Sequence, residues 1–164
     1  MLSFLGLKSE AQALSVGDEA PRLTAVDQNG ATVDLAAVYA GGPVLVYFYP
    51  KADTPGCTAQ ACSLRDAFAD FRGLGVRILG VSADTVESQK KFAEKHDLPF
   101  TLLADHDNAV AKAFGVPTLM GFTKRQSFIV KDGKIAWIVE SAKTGDHAEE
   151  VKTALQDLGL GKKS

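Results

Sequence analysis

Cysteine is scarce in this chain. Its 164 residues hold two, Cys57 and Cys62. That is too few for a disulfide scaffold and too few for a four-thiolate zinc site. The three histidines, His96, His106 and His147, are scattered without ligand spacing. Each is read as a surface residue, and no metal is expected. Neither sign of charge dominates. The 18 Lys and Arg against 20 Asp and Glu leave a net −2, which favours neither nucleic acid nor an anionic membrane as a partner. No apolar run approaches the ~18 residues of a membrane span. The opening Met1–Lys8 has no basic start and no long apolar stretch, so it makes a poor secretory signal. A cytoplasmic location is expected, which suits thiols that cycle better than thiols that stay oxidised. There is no internal repeat or low-complexity linker. What remains is the profile of one globular domain with a real core, 46% hydrophobic and 23% charged. Residues 1–15 read as an extension, 16–160 as the domain and 161–164 as a tail.

The chain is organised around Tyr47–Cys62, Y-F-Y-P-K-A-D-T-P-G-C-T-A-Q-A-C. An apolar strand, Val44 to Tyr49, runs into Pro50, and a helix opens near Pro55 with Cys57 in its first turn. Unpaired backbone N–H groups at a helix start carry partial positive charge and favour thiolate over thiol. Taken singly, each residue also has an ordinary explanation. Thr54-Pro55 is a common helix start, Pro50 is a common strand end, and a lone cysteine is usually a small buried hydrophobe. On a helix from about Pro55 to Arg72, Ala61, Leu64, Phe68 and Phe71 form an apolar stripe, and Cys57 extends it. Cys62 is turned about 140° away, onto the face of Thr58, Asp66 and Ala69. Cys62 is therefore not expected to be a core residue.

The remaining elements follow from turn and cap signals. Arg22–Val26 and Ala31–Leu35 flank Asp27-Gln28-Asn29-Gly30 and read as a hairpin. Gly41-Gly42-Pro43 breaks the chain before the central strand, which is apolar throughout, as expected when both faces are covered. Val76–Val81 is the next strand. Asp84, with Glu87 three residues on, reads as the cap of a helix to about His96. Phe100–Leu103 is a short strand, and Asp107–Phe114 a short helix closed by Gly115. Leu119–Lys124 reads as a loop of exposed apolar character, either a dimer patch or the wall of an entrance. Ser127–Val130 and Lys134–Val139 form a hairpin about Asp132-Gly133. Asp146 caps a last helix with the stripe Val151, Ala154, Leu155 and Leu158. The order βαβ…ββα is compatible with an α/β sandwich around a mixed sheet.

The order Pro50-x-x-x-Thr54-x-x-Cys57 resembles the active-site signature of the peroxiredoxins. T-P-G-C-T-A-Q-A-C, with its second cysteine five residues after the first, is similar to the subgroup called PrxQ or bacterioferritin comigratory protein. M-G-F-T-K-R-Q-S-F-I-V-K-D-G-K-I resembles the family segment that carries an essential arginine, here Arg125. By position alone, Lys124-Arg125 would read as a solvated basic pair. The resemblance runs from roughly Val16 to Leu158. It implies a thioredoxin-like fold, a central mixed β-sheet flanked by helices, with an added N-terminal β-hairpin.

It also implies a peroxidase with no bound cofactor. Cys57 would attack a hydroperoxide and become a sulfenic acid. Thr54 would set its hydroxyl beside sulfur and peroxide, Arg125 would stabilise thiolate and leaving oxygen, and Pro50 would shield the sulfur. Lys51 is read as a surface residue. Cys62 is the candidate resolving thiol, with thioredoxin or a similar dithiol as reductant and a monomer as the working state. A regular helix would hold the two Cα atoms about 8 Å apart, beyond the ~4.4–6.8 Å of a disulfide. Pairing would require the first turns to unwind. A thiol-disulfide oxidoreductase or redox sensor is the alternative, weakened by the absence of Cys-x-x-Cys. A binding module on the same frame, with both thiols idle, is a second alternative.

Overall fold

The computed structural model describes residues 13–161. Most of the expected extension (1–12) and of the tail (162–164) lies outside the described residues. The chain begins with β1 (Thr24–Val26) and β2 (Thr32–Asp34), the expected hairpin. The Asp27 carboxylate shapes its turn by accepting from the N–H groups of Asn29 and Ala31. Leu35 does not extend β2. Asp34 instead caps a helix, α1 (Leu35–Ala40), by accepting from Ala36 N. No helix was expected there, because six residues between a strand and a glycine pair carry too little periodicity.

Then come β3 (Val44–Phe48), α2 (Pro55–Asp66), α3 (Phe68–Gly73), β4 (Arg77–Ser82), α4 (Val86–Lys95), β5 (Thr101–Ala104) and α5 (Ala109–Ala113). The expected Pro55–Arg72 helix is thus broken at Ala67, whose φ of −100° and ψ of 8° leave the helical region. The buried line becomes Ala61, Leu64, Ala67 and Phe71, while Phe68 is only partly covered. The α4 cap is Thr85, whose hydroxyl accepts from Ser88 N. Asp84 is occupied elsewhere, accepting from Ala52 N and from the Ser82 and Ser88 hydroxyls. The 119–124 stretch is not a plain loop. It forms a small hairpin, β6 (Thr118–Leu119) and β7 (Phe122–Thr123), with Leu119 and Met120 exposed at its tip. The chain closes with β8 (Gln126–Lys131), β9 (Lys134–Val139) and α6 (His147–Asp157).

The main sheet has the order β5-β4-β3-β8-β9. The strands β3, β4 and β5 run parallel, and β8 and β9 are antiparallel additions. All five residues of β3 are fully buried, because helices cover both faces. Leu45, Tyr47 and Tyr49 face α2, α3, α4 and α6. Val44, Val46 and Phe48 face α1 and α5. Gly80 stands opposite Tyr47 in the register, and a Cβ there would lie within 3.0 Å of the tyrosine ring and of Leu102. The sheet edge is covered by the first hairpin. Gln28 donates to Phe100 O and accepts from Leu102 N, which satisfies part of the β5 edge. On the side of Leu45 and Tyr47, Leu64 anchors α2 with no exposed surface. Replacing it with alanine would cost about 2–5 kcal/mol.

Candidate active site

The site forms where β3 ends and α2 begins. Tyr49 N bonds Val81 O at 3.0 Å and Ala52 N bonds the Asp84 carboxylate at 2.8 Å, so the connecting turn is held on both sides. Asp53 takes a left-handed φ of 62°, a conformation that aspartate tolerates better than most residues. The turn delivers Pro55 as the first helical residue and Cys57 as the third. Cys57 keeps 1% of its surface exposed and packs among Tyr47, Tyr49, Ala61 and their neighbours.

Arg125 reaches this sulfur from 68 residues away. The register explains how. Phe48 pairs with Gln126, so the residue before β8 lies beside the end of β3, where α2 starts. Arg125 Nη1 stands 3.5 Å from Cys57 Sγ and donates to Gln60 Oε1 at 2.7 Å. Its carbonyl accepts from Ala142 N at 3.0 Å, which braces the backbone behind it. Gly56 makes room. A Cβ there would lie 3.0 Å from Arg125 Nη2 and 3.5 Å from Thr144 Cγ2.

The other expected site residues fall as follows. Thr54 occupies the cap position, but its hydroxyl makes no cap bond. Its single proton goes to Lys51 O at 2.7 Å, which leaves the oxygen lone pairs free to accept. Pro50 is half-buried and borders a shallow depression with Lys51, Thr85, Ser88, His106 and Phe122, which Cys57 and Arg125 do not line. Lys51 is exposed, with Nζ 6.0 Å from the Phe122 ring centroid. Cys62 is half-buried on the same helix, and both cysteines are free thiols.

Two neighbours were not anticipated. Gln60 has no exposed surface and fixes the guanidinium. Its signal was spacing: it lies three residues after Cys57, on the adjoining helical face. His147 was expected on the surface, and that is corrected. It is fully buried, with Nε2 2.9 Å from Ser127 Oγ and Nδ1 2.9 Å from Glu150 Oε1. Burial pushes its pKa down, against the pull of Glu150 in the other direction. The α6 stripe gave a usable signal, since position 147 is four residues before Val151. Burial likewise raises the Tyr47 pKa and keeps that hydroxyl protonated. Among the described residues no group of His, Cys, Asp or Glu could hold a metal ion.

Comparison with known proteins agrees with this geometry. Residues 16–138 match the model of the AhpC/TSA family. The chain is 45% identical over 152 residues to peroxiredoxin Bcp of Escherichia coli K12, covering 88% of this chain and 97% of that protein. The crystal structure of peroxidoxin BcpB from Mycobacterium tuberculosis superposes with a TM-score of 0.83 at 34% identity, covering 88% of this chain and 98% of the other. A bacterioferritin comigratory protein of Xanthomonas campestris, described for alkyl peroxide reduction and trapped intermediate complexes, gives 0.80 at 30% identity, with 88% and 99% covered. With its thioredoxin-like mixed sheet and a thiol at the helix start, the chain belongs to the AhpC/TSA family, among the PrxQ and bacterioferritin comigratory peroxiredoxins, which are thiol-dependent peroxidases.

Proposed function

We propose that Cys57 is the thiol with which this peroxidase attacks hydroperoxides, and that Cys62 resolves the product within the same chain. The observation that carries this reading is the Arg125 guanidinium 3.5 Å from the Cys57 sulfur at a helix start. A permanently charged donor there favours the anionic sulfur and the oxygen that leaves. The thiolate attacks the terminal oxygen of RO–OH. An S–O bond forms, the O–O bond breaks, and sulfur loses two electrons. The leaving RO⁻ takes a proton from solvent to become an alcohol, or water when R is hydrogen. Thr54, its own proton committed to Lys51 O, accepts a hydrogen bond from the peroxide O–H and orients it. Pro50 limits the approach of water.

The Cys62 thiolate then attacks the Cys57 sulfenic acid. An S–S bond forms, and hydroxide leaves to become water. A dithiol protein such as thioredoxin restores both thiols by two exchanges and is itself oxidised. Residues 16–160 act as one catalytic unit, as a monomer, in the cytoplasm. No helix among the described residues is long and apolar enough to cross a membrane. The 1% exposure of Cys57 favours this scheme over a disulfide oxidoreductase. The end of a hydroperoxide is about the size of water, whereas a protein disulfide could not reach the sulfur with α2 closed.

The test is peroxide consumption coupled to thioredoxin and its reductase, with hydrogen peroxide and an alkyl hydroperoxide, for the wild type and Arg125→Met. The wild type turns over both substrates. The variant loses roughly 10²–10³-fold in the peroxide step, the usual cost of removing a donor aimed at developing charge. A wild-type rate in Arg125→Met would remove the guanidinium from the chemistry.

A further inference from the structure

On α2 the two cysteines are five residues apart, and a regular helix sets their Cα atoms about 8 Å apart. A disulfide spans ~4.4–6.8 Å, so turns of α2 must open before the sulfurs can bond. This requirement rests on the resolving role proposed for Cys62.

Both ends of the stretch that must open are tied to one place. Upstream, the Asp53 carboxylate meets Lys95 Nζ at 3.0 and 3.2 Å and His96 Nε2 at 3.3 Å. Downstream, Arg65 Nη1 donates to His96 O at 2.8 Å. Lys95 is the last helical residue of α4 and His96 is its C-cap. The downstream end has a second fastening on another helix, where Ser63 Oγ accepts from Ala148 N of α6 at 2.9 Å. Residues 54–62 lie between these ties. They include the Thr54 cap, Gly56 and both cysteines, and are held by the helical ladder, by the Arg125–Gln60 bond and by the buried faces of Cys57, Gln60 and Ala61.

We propose that the C-terminal end of α4 is a post to which both ends of the unwinding segment are fastened, and that these fastenings set the rate at which the Cys57 sulfenic acid becomes a disulfide. With both ends fixed, the segment must open without slack, and loosening either end enlarges the set of open conformations that bring Cys62 to Cys57. Asp53 and Arg65 are positioning residues, acting through the backbone between them. The fastenings are individually modest. Lys95 and Asp53 are 62% and 47% exposed, and water competes for such pairs. The design is therefore a trim on the rate, not a lock.

The experiment is a single turnover of the purified full chain with one equivalent of hydrogen peroxide. Samples are quenched at intervals by a thiol-alkylating reagent. Intact mass then separates the sulfenic acid from the disulfide. Asp53→Asn keeps the tolerance for a left-handed φ and removes the charge. Arg65→Met removes the donor and keeps the stem. In each, sulfenic acid forms at the wild-type rate. The disulfide forms roughly 1.5- to fivefold faster in Asp53→Asn, as expected for one exposed pair, and at least roughly 1.5-fold faster in Arg65→Met, which loses one hydrogen bond while Ser63 still fastens that end to α6. The double variant is faster than either. Lys95→Met, on the other side of the same ion pair, repeats the Asp53→Asn effect. Disulfide formation at or below the wild-type rate in these variants overturns the post. A wild type that forms no Cys57–Cys62 bond is a different failure, which removes the resolving role itself.

Discussion

Cys57 and Cys62 share one helix and differ in almost everything around them. Cys57 is buried at the N-terminal turn, under the guanidinium of Arg125, which Gln60 holds by its side chain while Ala142 braces the Arg125 carbonyl. Cys62 is half-buried further along, close enough to Arg65 to act on its charge. The first setting suits a sulfur that reacts once with a small molecule in a fixed line. The second suits the movement and thiol exchange proposed above for Cys62. One helix thus offers two environments because its N-terminal turn is covered by Arg125, just before β8, and by Thr144 in the loop after β9, whereas Cys62 is only half-buried.

The strongest way to break this contrast is Cys57→Ser, which should abolish peroxide consumption altogether. A normal rate would show that the caged sulfur is idle. Next is Cys62→Ser. Its first turnover should match the wild type when sulfenic acid is followed by mass, and steady-state cycling with thioredoxin should then stop. Continued cycling would mean that the open sulfur is dispensable. A smaller effect is expected of Gln60→Met, which removes the 2.7 Å bond that aims Arg125. The peroxide step should slow by roughly tenfold, as for loss of one hydrogen bond to a charged group, with disulfide formation no slower than in the wild type. Slowing of both steps alike would blur the distinction between the two settings.

The smallest effect concerns His147, which lies behind the cage. Its pKa is held below the usual 6.5 by burial, so the unfolded chain binds that proton more readily than the native one. Its contribution to stability is present above about pH 6.5 and is lost as pH falls below it. Denaturant midpoints from pH 7.5 down to 5 should decline in the wild type, and less steeply in His147→Gln. Equal slopes would show that His147 does not drive the decline.

Much of the site lay on one contiguous stretch. Pro50, Thr54, Cys57 and Cys62 could be read together because a strand, a turn and a helix start follow one another within thirteen residues. Arg125 had no local signal beyond a basic pair, and it entered only through a resemblance to known sequences. The burial of His147 was concealed by its polarity, although its place on the α6 stripe pointed inward. The break at Ala67 was hidden because Ala61, Leu64, Phe68 and Phe71 satisfy a continuous helical period as well as the true line does. The Thr85 cap was missed by one residue, since Asp84 and Thr85 are both good caps. Only the Ser82, Ser88 and Ala52 partners of Asp84 decide between them.

The sequence by itself determined the alternation of strands and helices, the thiol at a helix start and the separate face of the second cysteine. These depend on short-range periodicity and on which residues tolerate caps and turns. The tertiary structure decided which distant groups meet there. The β3–β8 register carries Arg125 across 68 residues to the sulfur, and the end of α4 meets both Asp53 and Arg65. Such meetings are fixed by strand pairing and by the packing of buried faces, and no local pattern of residues encodes them.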